Sequence, residues 1–299
     1  MKRIRGFTLF ELIIVMVLLG IVGTMSTDII SLTYRNYVYQ KEVADLQSRS
    51  KQLLDQISGY LDRAVKPSIA RFDGTHQSIW GLGVTDADGA TGAGNYLEWI
   101  GKDTESMRGV WDDTLKRVYP GYSGLANVRD SGGMQIVTTD CNLSFIKTIQ
   151  KDITGVVDPL DGTNGNPRSA LYFVYANSDG DVSQRFWVNP TSLFGIAALD
   201  EVNGIITLQN QPNEIGEQYY LTYTAYGIHL EPDGTMYLLW NFRPWNGENV
   251  TRGAALKLME NVVSFEYWSE SDDTILRLKV CLRDTNSEIV YCKEAVVLR

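Results

Sequence analysis

The chain has 299 residues, of which 44% are hydrophobic and 21% charged, and a formal net charge of -9. That length and apolar fraction exclude wholesale disorder and leave room for one large domain or two modest ones. The acidic balance argues against a nucleic-acid partner, because phosphate binding needs a basic face.

Residues 1–6 read Met-Lys-Arg-Ile-Arg-Gly and crowd three basic side chains, Lys2, Arg3 and Arg5, at the start; no Lys or Arg follows until Arg35. From Phe7 to Thr27 runs FTLFELIIVMVLLGIVGTMST, whose one charge is Glu11. About 20 mostly apolar residues span a bilayer as a helix, and a flanking basic cluster stays on the cytoplasmic side. The reading is an inner-membrane segment over 7–27 with its N-terminus inside and everything after Thr27 exported.

Glu11 discriminates among the plainer alternatives. A secretory signal peptide needs a small-x-small cleavage site after the apolar run, and Thr24-Met25-Ser26 is a poor one. A buried core helix does not explain the basic flank. An uncleaved anchor has no use for a carboxylate in hydrocarbon, where an acidic residue at a helix centre costs about 2.5–3.5 kcal/mol. Cleavage after Gly6 supplies a partner, since it gives Phe7 a free, positively charged amine that neutralises Glu11 within the chain or in a neighbour.

Gly6 followed by FTLFELIIVMVLLGIVG resembles the type III signal of prepilins. The resemblance implies that a prepilin peptidase cuts between Gly6 and Phe7 and methylates the new amine on Phe7. It also implies that Glu11 guides docking onto other pilins or pseudopilins. Where many major pilins carry a helix-kinking proline, this chain has Asp28.

No proline occurs before Pro67. Val43, Leu46, Leu53, Ile57, Leu61 and Ala64, with Ser50 filling one gap, mark a stripe at helical spacing, opposite Lys41, Glu42, Arg49, Lys51, Asp55 and Asp62. The expectation is one helix over 7–66, apolar all round in its first half and docked on its own domain in its second. Gly20 and Gly23 loosen the first half locally without making a GxxxG motif.

Residues 67–299 read as a β-rich exported domain. Residues 73–95 are Gly- and Asp-rich and read as loops, and 101–133 leave room for a short helix. Strands are expected at 96–100, 134–138, 170–176, 184–188, 204–208, 219–230, 235–242, 262–268, 275–282 and 289–298, with a hairpin turn at Pro232-Asp233-Gly234. The fold class is α+β: a long N-terminal helix packed on a mostly antiparallel sheet domain. If Asn286-Ser287 makes a two-residue turn, Cys281 falls opposite Cys292, within reach of a disulfide that export permits; two reduced thiols are the alternative. Cys141 is left over and expected to be buried.

The order of the chain, with LMENVVSFEYW and a closing hairpin, is similar to the larger minor pseudopilins of type II secretion, the J type, and to W-type minor pilins. The resemblance implies a minor subunit built into a pilus or pseudopilus, at or near its tip. The rival class is an uncleaved, membrane-anchored periplasmic enzyme or receptor.

Catalytic patterns are absent from the sequence: His76 and His229 sit in no metal or nucleophile motif. No cofactor is expected. Calcium is the one ion kept in view, through the oxygen-rich turns at Asp86 and Asp88, at Asp158 and Asp161, and at Asp179 and Asp181, none of which completes an EF-hand loop.

Overall fold

A computed structural model describes residues 8–79, 95–114, 116–154, 167–174, 184–270, 275–285 and 288–298. Helix α1 runs from Leu9 to Asp62, 54 residues, or about 80 Å at about 1.5 Å per residue. It ends a few residues short of the expected 66. Arg63 leaves the helical conformation, Ala64 bridges to Gly101, and the Val65 N–H is taken by the Ile100 carbonyl at 2.8 Å. Pro67 then sits in a 3-10 turn over Lys66–Ser68.

Among the described residues two further α-helices follow, α2 (Thr104–Arg108) and α3 (Ser144–Thr154), and the strands pair in antiparallel sheets. The strands β1 (Ala70–Phe72), β2 (His76–Ser78), β3 (Tyr96–Ile100), β11 (Ala225–Leu230), β12 (Met236–Phe242) and β13 (Ala254–Met259) form a six-stranded sheet in the order β13-β12-β11-β3-β1-β2. A five-stranded sheet, β10-β7-β8-β9-β6, joins Tyr219–Thr222, Ala170–Phe173, Phe194–Asp200, Ile205–Leu208 and Gln135–Val137 in that order. The C-terminal strands β14 (Val262–Glu270), β15 (Ile275–Arg283) and β16 (Val290–Leu298) make a three-stranded sheet. A small hairpin pairs β4 (Val110–Asp112) with β5 (Arg117–Tyr119).

The core is built where α1 meets two of these sheets. Leu46, Leu53, Leu54, Ile57 and Leu61 are buried against Leu97 and Trp99 of β3 and against Leu276, Leu278, Val280 and Leu282 of β15. Successive strand residues face opposite sides, so these alternate positions present one apolar face to the helix. The stripe expected on α1 is the one that docks, with Ser50 wholly buried in its gap and Val43 half-buried at its start. A second core lies inside the five-stranded sheet and under Ile146 of α3; a third, around Ile100, Ala170, Phe186 and Phe242, joins the two larger sheets.

Three expectations are corrected. Residues 184–188 are a π-helical turn, with Phe186 and Trp187 both buried in the same core, which adjacent residues of a strand cannot do. The expected strand over 219–230 is two strands in different sheets: β10 ends at Thr222, and Thr224 turns the chain, its Oγ1 accepting the Asn241 N–H at 2.8 Å. The loop expected over 73–95 contains β2, pinned to β1 from Phe72↔His76 to Ala70↔Ser78.

Candidate functional site

Thr8 begins α1 in extended conformation and closes a capping box with Glu11. The Glu11 N–H donates to Thr8 Oγ1 at 3.4 Å, while Glu11 Oε2 accepts from the Thr8 N–H at 3.2 Å and the Thr8 hydroxyl at 3.1 Å. The box satisfies donors that a helix N-terminus leaves open and holds the carboxylate at the very start of the helix, beside Phe7 in sequence. A Thr-x-x-Glu pattern ahead of an apolar run is a legible helix-start signal. Thr8 and Glu11 carry that signal here, so Glu11 has a local role in starting the helix besides its charge.

From Leu9 to Leu32 the large apolar side chains are 42–79% exposed, none of them covered by the domain. This part of α1 is long and apolar enough to cross a membrane. Its hydroxyls are satisfied within the helix: Thr24, Ser26 and Thr27 donate to the carbonyls of Ile21, Val22 and Gly23 at 2.8–2.9 Å. That back-bonding leaves no unpaired hydroxyl for an apolar environment. A β-carbon on Gly20 or Gly23 would meet nothing within 4 Å, so neither glycine serves a contact inside the chain.

The second half of α1 is fastened at both ends. Arg49 Nη2 donates to the Glu260 carbonyl at 3.3 Å where the helix enters the domain. Where the chain leaves the helix, Lys66 Nζ donates to the Leu298 carbonyl at 2.7 Å; burial pushes its ammonium down, and Asp62 opposes that.

The model of the prokaryotic N-terminal methylation motif matches residues 1–27. This chain carries a prepilin-type N-terminal motif. Gly6 and Phe7 lie inside the match and outside the described residues; Thr8, Glu11 and the apolar half of the span lie in both. Comparison with curated proteins found no match, and neither did comparison with solved structures.

The remaining candidates separate clearly from the motif. In the β15–β16 ladder Cys281 stands opposite Cys292, and their sulfurs are bonded. The turn at 286–287 lies outside the described residues. Cys141 is free, and it is half-buried rather than buried, beside the Thr138 hydroxyl; burial pushes its thiol up. His229 Nδ1 lies 3.1 Å from the Asn95 carbonyl and the ring stacks on Tyr96. His76 faces Glu98, a pairing between strands 22 residues apart that no local signal reveals. Among the described residues no group of three or more His, Cys, Asp or Glu side chains is placed to hold a metal. The calcium candidates Asp86, Asp88, Asp158, Asp161, Asp179 and Asp181 all lie outside the described residues.

Proposed function

We propose that this chain is a minor type IV pilin-like subunit, a pilin or pseudopilin, with a structural rather than enzymatic role. The precursor sits in the bacterial inner membrane with residues 1–6 inside and the β-rich domain, residues 67–299, in the periplasm. A prepilin peptidase removes residues 1–6 and methylates the amine of Phe7. The helix then leaves the lipid sideways into a pilus or a type II secretion pseudopilus, at or near the tip, where its bare half is buried against the helices of other subunits. Glu11 pairs there with a terminal amine. In chain order it resembles J-type pseudopilins and W-type minor pilins.

The observation that carries this reading is the methylation motif over residues 1–27, on a helix whose first half is apolar on every side and touches nothing of its own domain. A membrane anchor explains the apolarity; it does not explain a carboxylate at the start of the span. Intact-mass measurement of the membrane-extracted protein tests the processing step. The expected mass lacks residues 1–6 and carries one added methyl group. Mature protein that still begins with Met1, from cells with active peptidase, would refute it.

A further inference from the structure

The six-stranded sheet carries a row of rings on the face turned away from α1. Its register places Tyr96 of β3 opposite His229 of β11, and His229 opposite Tyr237 of β12. The strand neighbours Leu97, Ile228, Leu230, Met236 and Leu238 are buried in the core beneath the helix, so by alternation the three rings point the other way. Tyr96 and His229 stack at 4.4 Å between centroids, and His229 Nδ1 lies 3.1 Å from the Asn95 carbonyl, which fixes the middle ring.

With Leu239 these rings line a groove of about 750 Å³, within the usual size of a ligand site. Thr251 joins the lining from the 3-10 turn Val250–Arg252. That turn seats on the sheet because Gly227 has no side chain: a β-carbon there would come within 2.6 Å of Val250 Cγ2.

The fixed charge in the lining has one sign. Its carboxylates are Glu231 and Asp233, and among the described residues no Lys or Arg lines it. Lys257, opposite Tyr237 in the ladder, is drawn off to Glu260. Asp233 Oδ1 accepts the Thr235 N–H at 2.8 Å, and Glu231 Oε1 lies 3.6 Å from His229 Nε2, so each acid has a second oxygen to offer. Burial pushes the Tyr96 phenol up, and the charges of Glu231 and Glu98 push it the same way, as a negative potential over the groove requires.

We infer that this groove binds an arginine side chain on an extended segment of another protein. A guanidinium stacks on tyrosine rings, whose faces attract a cation, and its planar fork pairs with a carboxylate. Both halves of that chemistry are side by side here. A calcium ion fits poorly, because it wants six to eight oxygens, and among the described residues no three acidic, His or Cys side chains are placed to hold a metal. A neutral glycan would use the rings and gain nothing from the two acids. The site belongs to the exported domain, so the inference stands or falls apart from the processing of residues 1–6.

Fluorescence anisotropy of the full chain in mild detergent tests this, with a dye-labelled peptide Gly-Arg-Gly-Arg-Gly as probe. Saturable binding is expected, and replacing both arginines by citrulline, which keeps the shape and removes the charge, is expected to weaken it at least about tenfold. Tyr237→Ala and Glu231→Gln are each expected to weaken it about tenfold. Glu231 is half exposed, so Glu231→Gln is expected to melt with the wild type and its loss of binding cannot be put down to misfolding. Asp113→Asn, at an exposed turn of the β4–β5 hairpin, is expected to change nothing. Equal weakening by Asp113→Asn would show only general attraction to an acidic chain and would overturn the site. A citrulline peptide that binds as well, or no saturable binding at millimolar peptide, would overturn it too.

Discussion

The Nε2 of His76, on the edge strand β2, lies 3.0 Å from Oε2 of Glu98, on the central strand β3, and the Glu98 side chain is wholly buried. The imidazole is held in place by stacking on Trp187 at 5.1 Å between ring centroids and by Phe72 at 4.5 Å. Neither carboxylate oxygen has another hydrogen-bond partner among the described residues. Burial pushes the Glu98 carboxyl above the usual carboxylate range, and the hydrogen bond and charge of His76 pull it back only in part.

A pH dependence follows from that shift. A carboxyl raised in the folded state binds its proton more tightly there than in the unfolded chain, where its pKa is about 4.3. Its contribution to stability is complete below that range and is lost as pH rises through the folded value. Thermal melts of the wild type and of Glu98→Gln from pH 4 to 8 are expected to diverge, with the variant gaining on the wild type as pH rises. A difference that stays constant over this range would contradict the burial argument.

The docking of α1 depends on its central leucines. Leu53 is wholly buried between the helix and the sheets, so Leu53→Ala removes apolar contacts and opens a cavity. The expected loss is about 2–5 kcal/mol, measured by denaturant unfolding of the full chain in mild detergent. Leu32→Ala, on the bare stretch, is expected to leave the same transition unchanged.

The disulfide is expected to stabilise the last hairpin from outside the core. It joins residues 11 positions apart, a loop whose closure is worth about 2–3 kcal/mol in the chain-entropy account. The core-facing side chains of β15 are Leu276, Leu278, Val280 and Leu282, so Cys281 sits on the other face by alternation. Paired Cys281→Ser and Cys292→Ser changes are therefore expected to lower the unfolding midpoint by that margin while leaving the docked helix protected from hydrogen exchange. Loss of that protection would place the bond's role in the core instead.

Glu11→Ala separates insertion from assembly. The apolar run remains, so membrane insertion is expected to be unimpaired or slightly better. Incorporation into filaments is expected to fall at least about tenfold, a single charge-assisted pair in a low-dielectric bundle being worth that much. Immunoblotting of sheared filaments against the membrane fraction reads the ratio directly, and an unchanged ratio would remove the pairing step.

The helix was the most legible part of the fold, because its two signals are long. The apolar span and the stripe through Leu46, Leu53, Ile57 and Leu61 each repeat many times, and nothing interrupts them before Pro67. Short elements carry little more than a compositional signal, which fails where tertiary context overrides it. Phe186 and Trp187 have the side chains of a strand but sit in a π-helical turn. The edge strand β13 reads Ala-Ala-Leu-Lys-Leu-Met, a helix former's composition, and is held in the sheet by its ladder to β12. Helix α3 hides behind the β-branched Ile146, Ile149 and Ile153, whose helical spacing outweighs their propensity. The His76–Glu98 pair depends on the topology, since it forms only once β1 pairs with the edge strand β2 on one side and with β3 on the other.

The surface on which α1 docks is supplied largely by β15 and β16, and Lys66 closes it onto Leu298, next to the last residue of the chain. The helix therefore depends on partners far away in sequence: Lys66 and Leu298 stand 232 positions apart. Contacts of such separation close slowly, and a fold without β15 and β16 in place would leave the docking leucines of α1 uncovered. An apolar seam of that kind invites aggregation and proteolysis, so the order of the helix reports on the integrity of the last sheet.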